Sequence, residues 1–133
     1  MDALEPDLCG QWKVFLADDD DDTRVLMGAA LRRAGFDVVE ACNGRQLVEC
    51  VREDSTPNAI VISDVGMPEL DGIAAARAVK GVRPSLPVLL VTAFGDPETL
   101  RRARAAGVAR VMAKPLDLAS LAHAAGELVR AAS

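Results

Sequence analysis

The sequence predicts an α/β fold in which a doubly wound parallel sheet is sandwiched between helices. Three observations carry that expectation. Residues 14–17, 59–63 and 87–91 are short apolar runs without polar alternation, the pattern of strands buried on both faces. Segments with helical apolar spacing follow them, so strands and helices take turns along the chain. Five such strand–helix pairs fill 133 residues with no repeat, low-complexity stretch or internal linker, which suits a single domain with a sizeable core.

Each element can be placed in turn. Strand one, 14–17, stops abruptly at a run of aspartates. A helix over 23–34 follows, with Val25, Leu26, Ala29, Ala30 and Leu31 at helical spacing and Gly35 as its left-handed cap. Residues 36–41 form strand two, Asn43 and Gly44 a turn, and 46–52 a short helix with Leu47, Val48 and Val51 on one side. Strand three, 59–63, ends at Asp64. Asp71 caps a third helix over 71–80, and Pro84 and Pro87 mark the loop beyond it. Strand four spans 87–91. Asp96 and Pro97 open a fourth helix with an N-cap and a first-turn proline, and Gly107 ends it. Residues 110–113 make a short fifth strand. The last helix, 116–130, buries Leu118, Leu121, Ala122, Ala125, Leu128 and Val129. With 23 alanines and only four aromatics, the helices can lie close to the sheet over an aliphatic core. Residues 1–11 read as a poorly ordered lead-in, and 12–133 as the single domain.

The net charge of −5 is unevenly placed. Five of the 20 acids are consecutive, at 18–22, and without them acids and bases balance. Residues 1–71 carry 16 acids and 6 bases, whereas 72–133 carry 4 acids and 9 bases. Overall acidity argues against a nucleic-acid-binding surface, and a half-hydrophobic composition excludes a disordered acidic tail. No apolar stretch approaches the ~18 residues of a membrane span, and no basic-then-apolar leader is present. Cys9, Cys42 and Cys50 fit neither a disulfide framework nor a paired zinc motif. They read as reduced thiols serving as small apolar residues in a cytoplasmic protein.

In folds of this class ligands bind outside the carboxyl ends of the strands. The residues there are Asp18 and Asp19 after strand one, Asp64 after strand three, Thr92 after strand four and Lys114 after strand five. Three carboxylates at one edge repel one another unless a cation neutralises them. A hard divalent ion such as Mg²⁺ suits oxygen ligands of this kind. An ionised aspartate can attack phosphorus, and an ammonium, a hydroxyl and a metal can neutralise the transferred oxygens. The inventory is complete for phosphoryl transfer onto a carboxylate.

Four segments, in order, carry a family resemblance: Phe15-Leu16-Ala17-Asp18-Asp19, Ile62-Ser63-Asp64-Val65-Gly66-Met67-Pro68-Glu69-Leu70-Asp71-Gly72, Leu90-Val91-Thr92-Ala93 and Ala113-Lys114-Pro115. Together they resemble the receiver domain of two-component response regulators over residues 13–130. An aspartate pair or a Lys-Pro is weak alone; with MPxxDG at the right distance the set is highly specific. The resemblance implies a flavodoxin-like fold of five strands in the order 2-1-3-4-5 with five helices. It implies that Asp64 accepts a phosphoryl group from a sensor histidine kinase or a histidine phosphotransfer protein. Asp18, Asp19, Asp64 and the backbone carbonyl of Gly66 would hold Mg²⁺ or another divalent cation such as Mn²⁺. Thr92 and Lys114 would bond the phosphoryl oxygens, and the Lys114–Pro115 bond would be cis. Output would pass to a downstream protein or linked output domain through the face of helix four, strand five and helix five, with no direct role for nucleic acid or membrane. The implied protein is a signalling domain rather than an enzyme, although it promotes its own phosphorylation and dephosphorylation.

Three positions depart from the common pattern. Gly66 lacks a side chain over the acceptor, Phe94 is bulky where it borders the acceptor, and Val111 stands where the family often has a rotating aromatic. The first two bear on dephosphorylation, with opposite steric effects; the third puts the usual hydroxyl–aromatic coupling in doubt. Plainer readings apply elsewhere. Asp20, Asp21 and Asp22 serve as local solubility, an N-cap and distant attraction for a cation. A calcium loop is rejected, since Thr23 replaces its turn glycine and Ala29 its closing glutamate. Asp19, Asp21 and Thr23 match the DxDxT start of haloacid-dehalogenase-type phosphatases, a rival that does not account for the MPxxDG segment. A receiver-like docking module that is never phosphorylated is the other alternative. His123 reads as an exposed polar residue, and Arg101, Arg102, Arg104 and Arg110 as a basic patch, solvated or offered to an acidic protein.

Overall fold

The computed structural model describes residues 12–93 and 95–132. The expectations for 1–11, including Cys9, and for Phe94 lie outside the described residues. The elements are β1 (Lys13–Ala17), α1 (Asp21–Arg33), β2 (Asp37–Ala41), α2 (Gly44–Glu53), β3 (Ala59–Asp64), α3 (Gly72–Val82), β4 (Val88–Thr92), α4 (Pro97–Ala105), β5 (Arg110–Ala113) and α5 (Leu118–Ala132). The five strands form one parallel sheet in the order β2-β1-β3-β4-β5, as the resemblance implied.

Period-two alternation divides the core between the two faces of the sheet. Phe15, Val61, Val88 and Leu90 point to one side and pack with Leu47 and Val51 of α2, Ile73 and Val79 of α3 and Ala103 of α4. Val14, Leu16, Ile60, Ile62, Leu89 and Val91 point to the other and meet Met27 and Leu31 of α1 and Leu121, Ala125 and Val129 of α5. β1, β3 and β4 carry unbroken apolar runs, 14–17, 59–62 and 88–91, because both of their faces are covered.

Helix starts follow the local chemistry. Asp20 accepts from the Thr23 amide, Asn43 from Gln46, Asp71 from Ala74 and Asp96 from Thr99, each satisfying a first-turn N–H. The first helix therefore begins at Asp21, not Thr23, with Asp21 and Asp22 in its favourable first turn. Its apolar stripe also differs from expectation. Met27, Gly28 and Leu31 are buried, whereas Val25 and Leu26 are 55% and 59% exposed. Residues 27 and 31 are one helical repeat apart; 25 and 26 lie about 100–200° away around the axis. Leu26 instead rims an open groove of about 390 Å³ between α1 and α5, with Ala29, Ala30, Leu118 and Ala122. Cys50 is half-buried against the core, as expected of a small apolar residue, but Cys42 is exposed. Among the described residues no helix is long and apolar enough to cross a membrane.

The end of the sheet opposite the strands' carboxyl ends is tied by charge. Lys13 donates from Nζ to Asp54 Oδ2 at 2.6 Å, and Thr56 donates its amide and hydroxyl to Asp54 Oδ1 at 2.9 and 2.6 Å. Lys13, followed by Thr56, holds the Asp54 carboxyl down to about 2. A depressed folded-state value stabilises the protein above the ordinary carboxylate range, and that contribution fades as pH falls through about 2. Asp54→Asn should thus cost about 1 kcal/mol at neutral pH, allowing for partial solvent exposure. In urea denaturation the gap from wild type should narrow as pH drops below about 4.

Candidate functional site

Register brings the expected residues to one edge. Ala17 of β1 is level with Ser63 of β3, Asp64 with Val91 of β4, and Thr92 with Ala113 of β5. Asp18, Asp64, Thr92 and Lys114 therefore emerge side by side where the strands end. Asp18 is 0% exposed, and Asp64 and Thr92 are buried with it. Asp19 is exposed, yet one oxygen from each of Asp18, Asp19 and Asp64 lies within 4.8 Å of the others. These three carboxylates could hold a metal ion.

Lys114 closes the cluster. Its amide donates to the Thr92 carbonyl at 2.8 Å, carrying β5 one residue further along β4. Its Nζ lies 3.2 Å from Asp64 Oδ1 and 3.7 Å from Asp18 Oδ2. The Lys114–Pro115 bond that follows is cis. Burial pushes the Asp64 carboxyl up, and the Asp18 charge adds to it, with Lys114 only partly offsetting them. Burial opposes charge on Lys114, but Asp64 and Asp18 prevail and hold the ammonium above the ordinary lysine value.

The loop around Asp18 is tightly anchored. Its amide donates to the Ala41 carbonyl at 3.2 Å, and its Oδ1 accepts from the Asp20 amide at 2.9 Å. Its carbonyl accepts from Arg24 Nη1 at 2.9 Å. Only Oδ2, buried, lacks a hydrogen-bond partner among the described residues. A buried carboxylate oxygen whose nearest cation, the Lys114 ammonium, stands 3.7 Å off and beyond hydrogen-bond reach is costly, and two anions beside one ammonium leave a deficit of positive charge. A divalent cation fits both observations.

The loop after β3 turns sharply over Asp64. Val65 O accepts from the amides of Met67 and Gly72, at 3.0 and 2.8 Å, and Glu69 adopts φ 68°. Gly72 packs so closely that a Cβ there would sit 2.1 Å from the Asp64 carbonyl. Glycine is thus required for α3 to begin directly behind the acidic residue. Gly66 is exposed in this loop, with open space where a side chain would stand. Asp71 caps α3 and lies 3.6 Å from Arg102 of α4.

Other candidates fall away from the cluster. Val111 is half-buried against the core on the α2–α4 side. His123 is exposed on α5, 3.8 Å from Glu127. The arginine patch is partly neutralised within the chain: Arg101 pairs with Glu98, Arg102 with Asp71, and Arg110 with Glu127. Sequence spacing did not single out Arg24 or its partner Glu40 (Nε to Oε1, 3.2 Å). A lone arginine one turn into an amphipathic helix reads as solvated surface, and only the fold reveals that it reaches back to Asp18.

The chain matches the response regulator receiver domain model over residues 14–126 and belongs to that family. The transcriptional regulatory protein ZraR of Escherichia coli K12 is 38% identical over 108 residues, 81% of this chain but 24% of that protein. The response regulator receiver protein CpdR of Brucella abortus is 32% identical over 120 residues, 90% of this chain and 98% of its own length. Among solved structures, chemotaxis protein CheY4 of Vibrio cholerae superposes with TM-score 0.80 at 26% identity, covering 86% of this chain and 96% of that one. A CheY-like receiver domain protein from Methanospirillum hungatei, at 18% identity with TM-score 0.85 over 90% and 94% of the two chains, shares the fold. The chain thus spans about a quarter of the length of the ZraR proteins it matches. Receiver domains are signalling domains that interact with kinases and output domains, and family membership displaces the phosphatase reading.

Crowding at the site has a measurable consequence. A carboxyl raised in the folded state costs stability progressively as pH rises above its ordinary value, and in full once pH exceeds the raised one. Asp64→Asn should therefore raise the unfolding midpoint of the metal-free protein at pH 7. The difference should shrink as pH falls toward the ordinary carboxylate range, because folded wild-type Asp64 takes up its proton before that range is reached; thermal denaturation over this interval reads both effects.

Proposed function

We propose that this receiver domain is a phosphorylation-controlled switch in which Asp64 accepts a phosphoryl group from a sensor histidine kinase or a histidine phosphotransfer protein. The observation that carries this reading is the pair of buried carboxylates, Asp18 and Asp64, beside half-buried Lys114, with Asp18 Oδ2 left without a hydrogen bond. Asp18, Asp19, Asp64 and the Gly66 carbonyl would hold Mg²⁺, or another divalent ion such as Mn²⁺. Bound there, the cation supplies positive charge against the carboxylates and the phosphoryl oxygens.

The residues divide the remaining work. An Asp64 oxygen attacks phosphorus, the P–N bond to the donor imidazole breaks, and its electron pair leaves on the ring nitrogen, giving an acyl phosphate. Lys114, already 3.2 Å from Asp64, places its ammonium beside the incoming oxygens, and buried Thr92 offers its hydroxyl from the end of β4. These groups are fixed before the reaction, so stabilising the transferred charge needs little rearrangement. Attack by water on the acyl phosphate resets the domain. Gly66 leaves that approach open on one side.

Covalent charge on Asp64 biases a two-state equilibrium in the loop after β4 and in the face formed by α4, β5 and α5, which engages a downstream protein or a linked output domain. With Val111 in place of an aromatic, the shift does not use a swinging ring. The domain works in the cytoplasm as one unit over 12–133, with 1–11 as its lead-in, and is a phosphoacceptor rather than a turnover enzyme.

Incubation with a radiolabelled small acyl phosphate should label wild type only when Mg²⁺ is present. Asp64→Asn should lose the label entirely, and undiminished labelling of that variant would sink the assignment. Partner binding unchanged by a beryllofluoride mimic would favour a docking module that is never phosphorylated.

A further inference from the structure

The Asp18 carbonyl belongs to the peptide that joins the two adjacent carboxylates, Asp18 and Asp19. That carbonyl lies beyond the last β1 residue paired in the sheet. The donor that reaches it comes from one turn into α1, where Arg24 Nη1 binds it at 2.9 Å. The same guanidinium uses its other nitrogens too: Nε lies 3.2 Å from Glu40 Oε1 on β2, and Nη2 lies 2.8 Å from Asp21 Oδ1. Glu40 is itself held from the other side, with Arg32 Nη1 2.9 Å from its Oε2. Gly28 of α1 leaves room for this arrangement, since a Cβ there would come within 3.1 Å of Glu40 Oε2 and 3.2 Å of Arg32 Nη1.

From this geometry we infer that Arg24, aimed by Glu40, is a positioning residue for the cation site, fixing the Asp18–Asp19 peptide so that both carboxylates converge on Asp64. The inference rests on the cation-dependent reading above and adds the part that sets its precision. A planar guanidinium can hold three acceptors in fixed directions, which an ammonium cannot. The supporting partners of metal-binding groups commonly govern affinity by roughly 10–100-fold. Arg24 is also a positive charge near the site. Acting by charge alone it would repel the cation, so charge and positioning predict opposite signs on its removal.

The test compares wild type, Arg24→Lys and Arg24→Met, each first checked for folding by its thermal midpoint. Mg²⁺ affinity is measured by calorimetric titration, without any phosphodonor. Both variants should bind Mg²⁺ about tenfold more weakly than wild type. In metal-free protein, the Asp20 amide, which donates to Asp18 Oδ1, should exchange with solvent faster in Arg24→Lys. If Arg24→Met does not fold, Arg24→Lys carries both readouts. Wild-type affinity in Arg24→Lys, or tighter binding in Arg24→Met, would overturn the positioning role, as would unchanged Asp20 exchange. Failure of wild type to bind Mg²⁺ would overturn the functional reading instead, and the metal-free exchange result would still decide the role of Arg24.

Discussion

Two buried carboxylates share one ammonium at the carboxyl edge of the sheet, and the rest of the molecule is arranged around that imbalance. Asp18 and Asp64 are held out of water at the ends of β1 and β3, and Lys114 stands 3.7 Å from the first and 3.2 Å from the second. One positive charge cannot satisfy two anions that also repel each other; burial, and after it the Asp18 charge, raise the Asp64 carboxyl's pKa despite Lys114. The cost is local, and a group that brought further positive charge would find a site already shaped for it. On the proposed reading, fixed charges of this kind would need little reorganisation to receive a phosphoryl group.

The fold makes this arrangement possible without a dedicated binding loop. Parallel strands in register deliver their last residues to one edge, and apolar packing on both faces fixes their spacing. Short connections then refine it. Gly72 lets α3 start against the Asp64 carbonyl, and Arg24 draws the start of α1 back onto the end of β1. The acidic run is thereby split in function. Asp18 and Asp19 face the cluster, Asp20 caps α1, and Asp21 and Asp22 occupy its first turn.

Much of this was legible in the sequence because strands buried on both faces leave an unbroken apolar trace, and four of the five expected strands ended at a residue of the cluster. Asp71 and Asp96 were readable as caps for the same local reason. The face of α1 was less so. Val25 and Leu26 are as apolar as Met27 and Leu31, and only the placement of α1 against the sheet and α5 decides which pair is covered. Arg24 and Glu40 left no signal, because their partnership joins α1 to β2 across 16 positions and includes a backbone carbonyl. Local pattern finds groups that act through their neighbours in the chain; groups that act through space need the fold.

The central claim, that the buried acidic cluster requires a cation, is tested most directly by the thermal midpoint of wild type and Asp18→Asn as Mg²⁺ is raised at pH 7. Binding to the folded state alone stabilises it by about 1.4 kcal/mol for each tenfold rise in Mg²⁺ beyond the dissociation constant. The wild-type midpoint should climb accordingly, while that of Asp18→Asn stays nearly flat. A wild-type midpoint insensitive to Mg²⁺, or an equal climb in both proteins, would contradict the account.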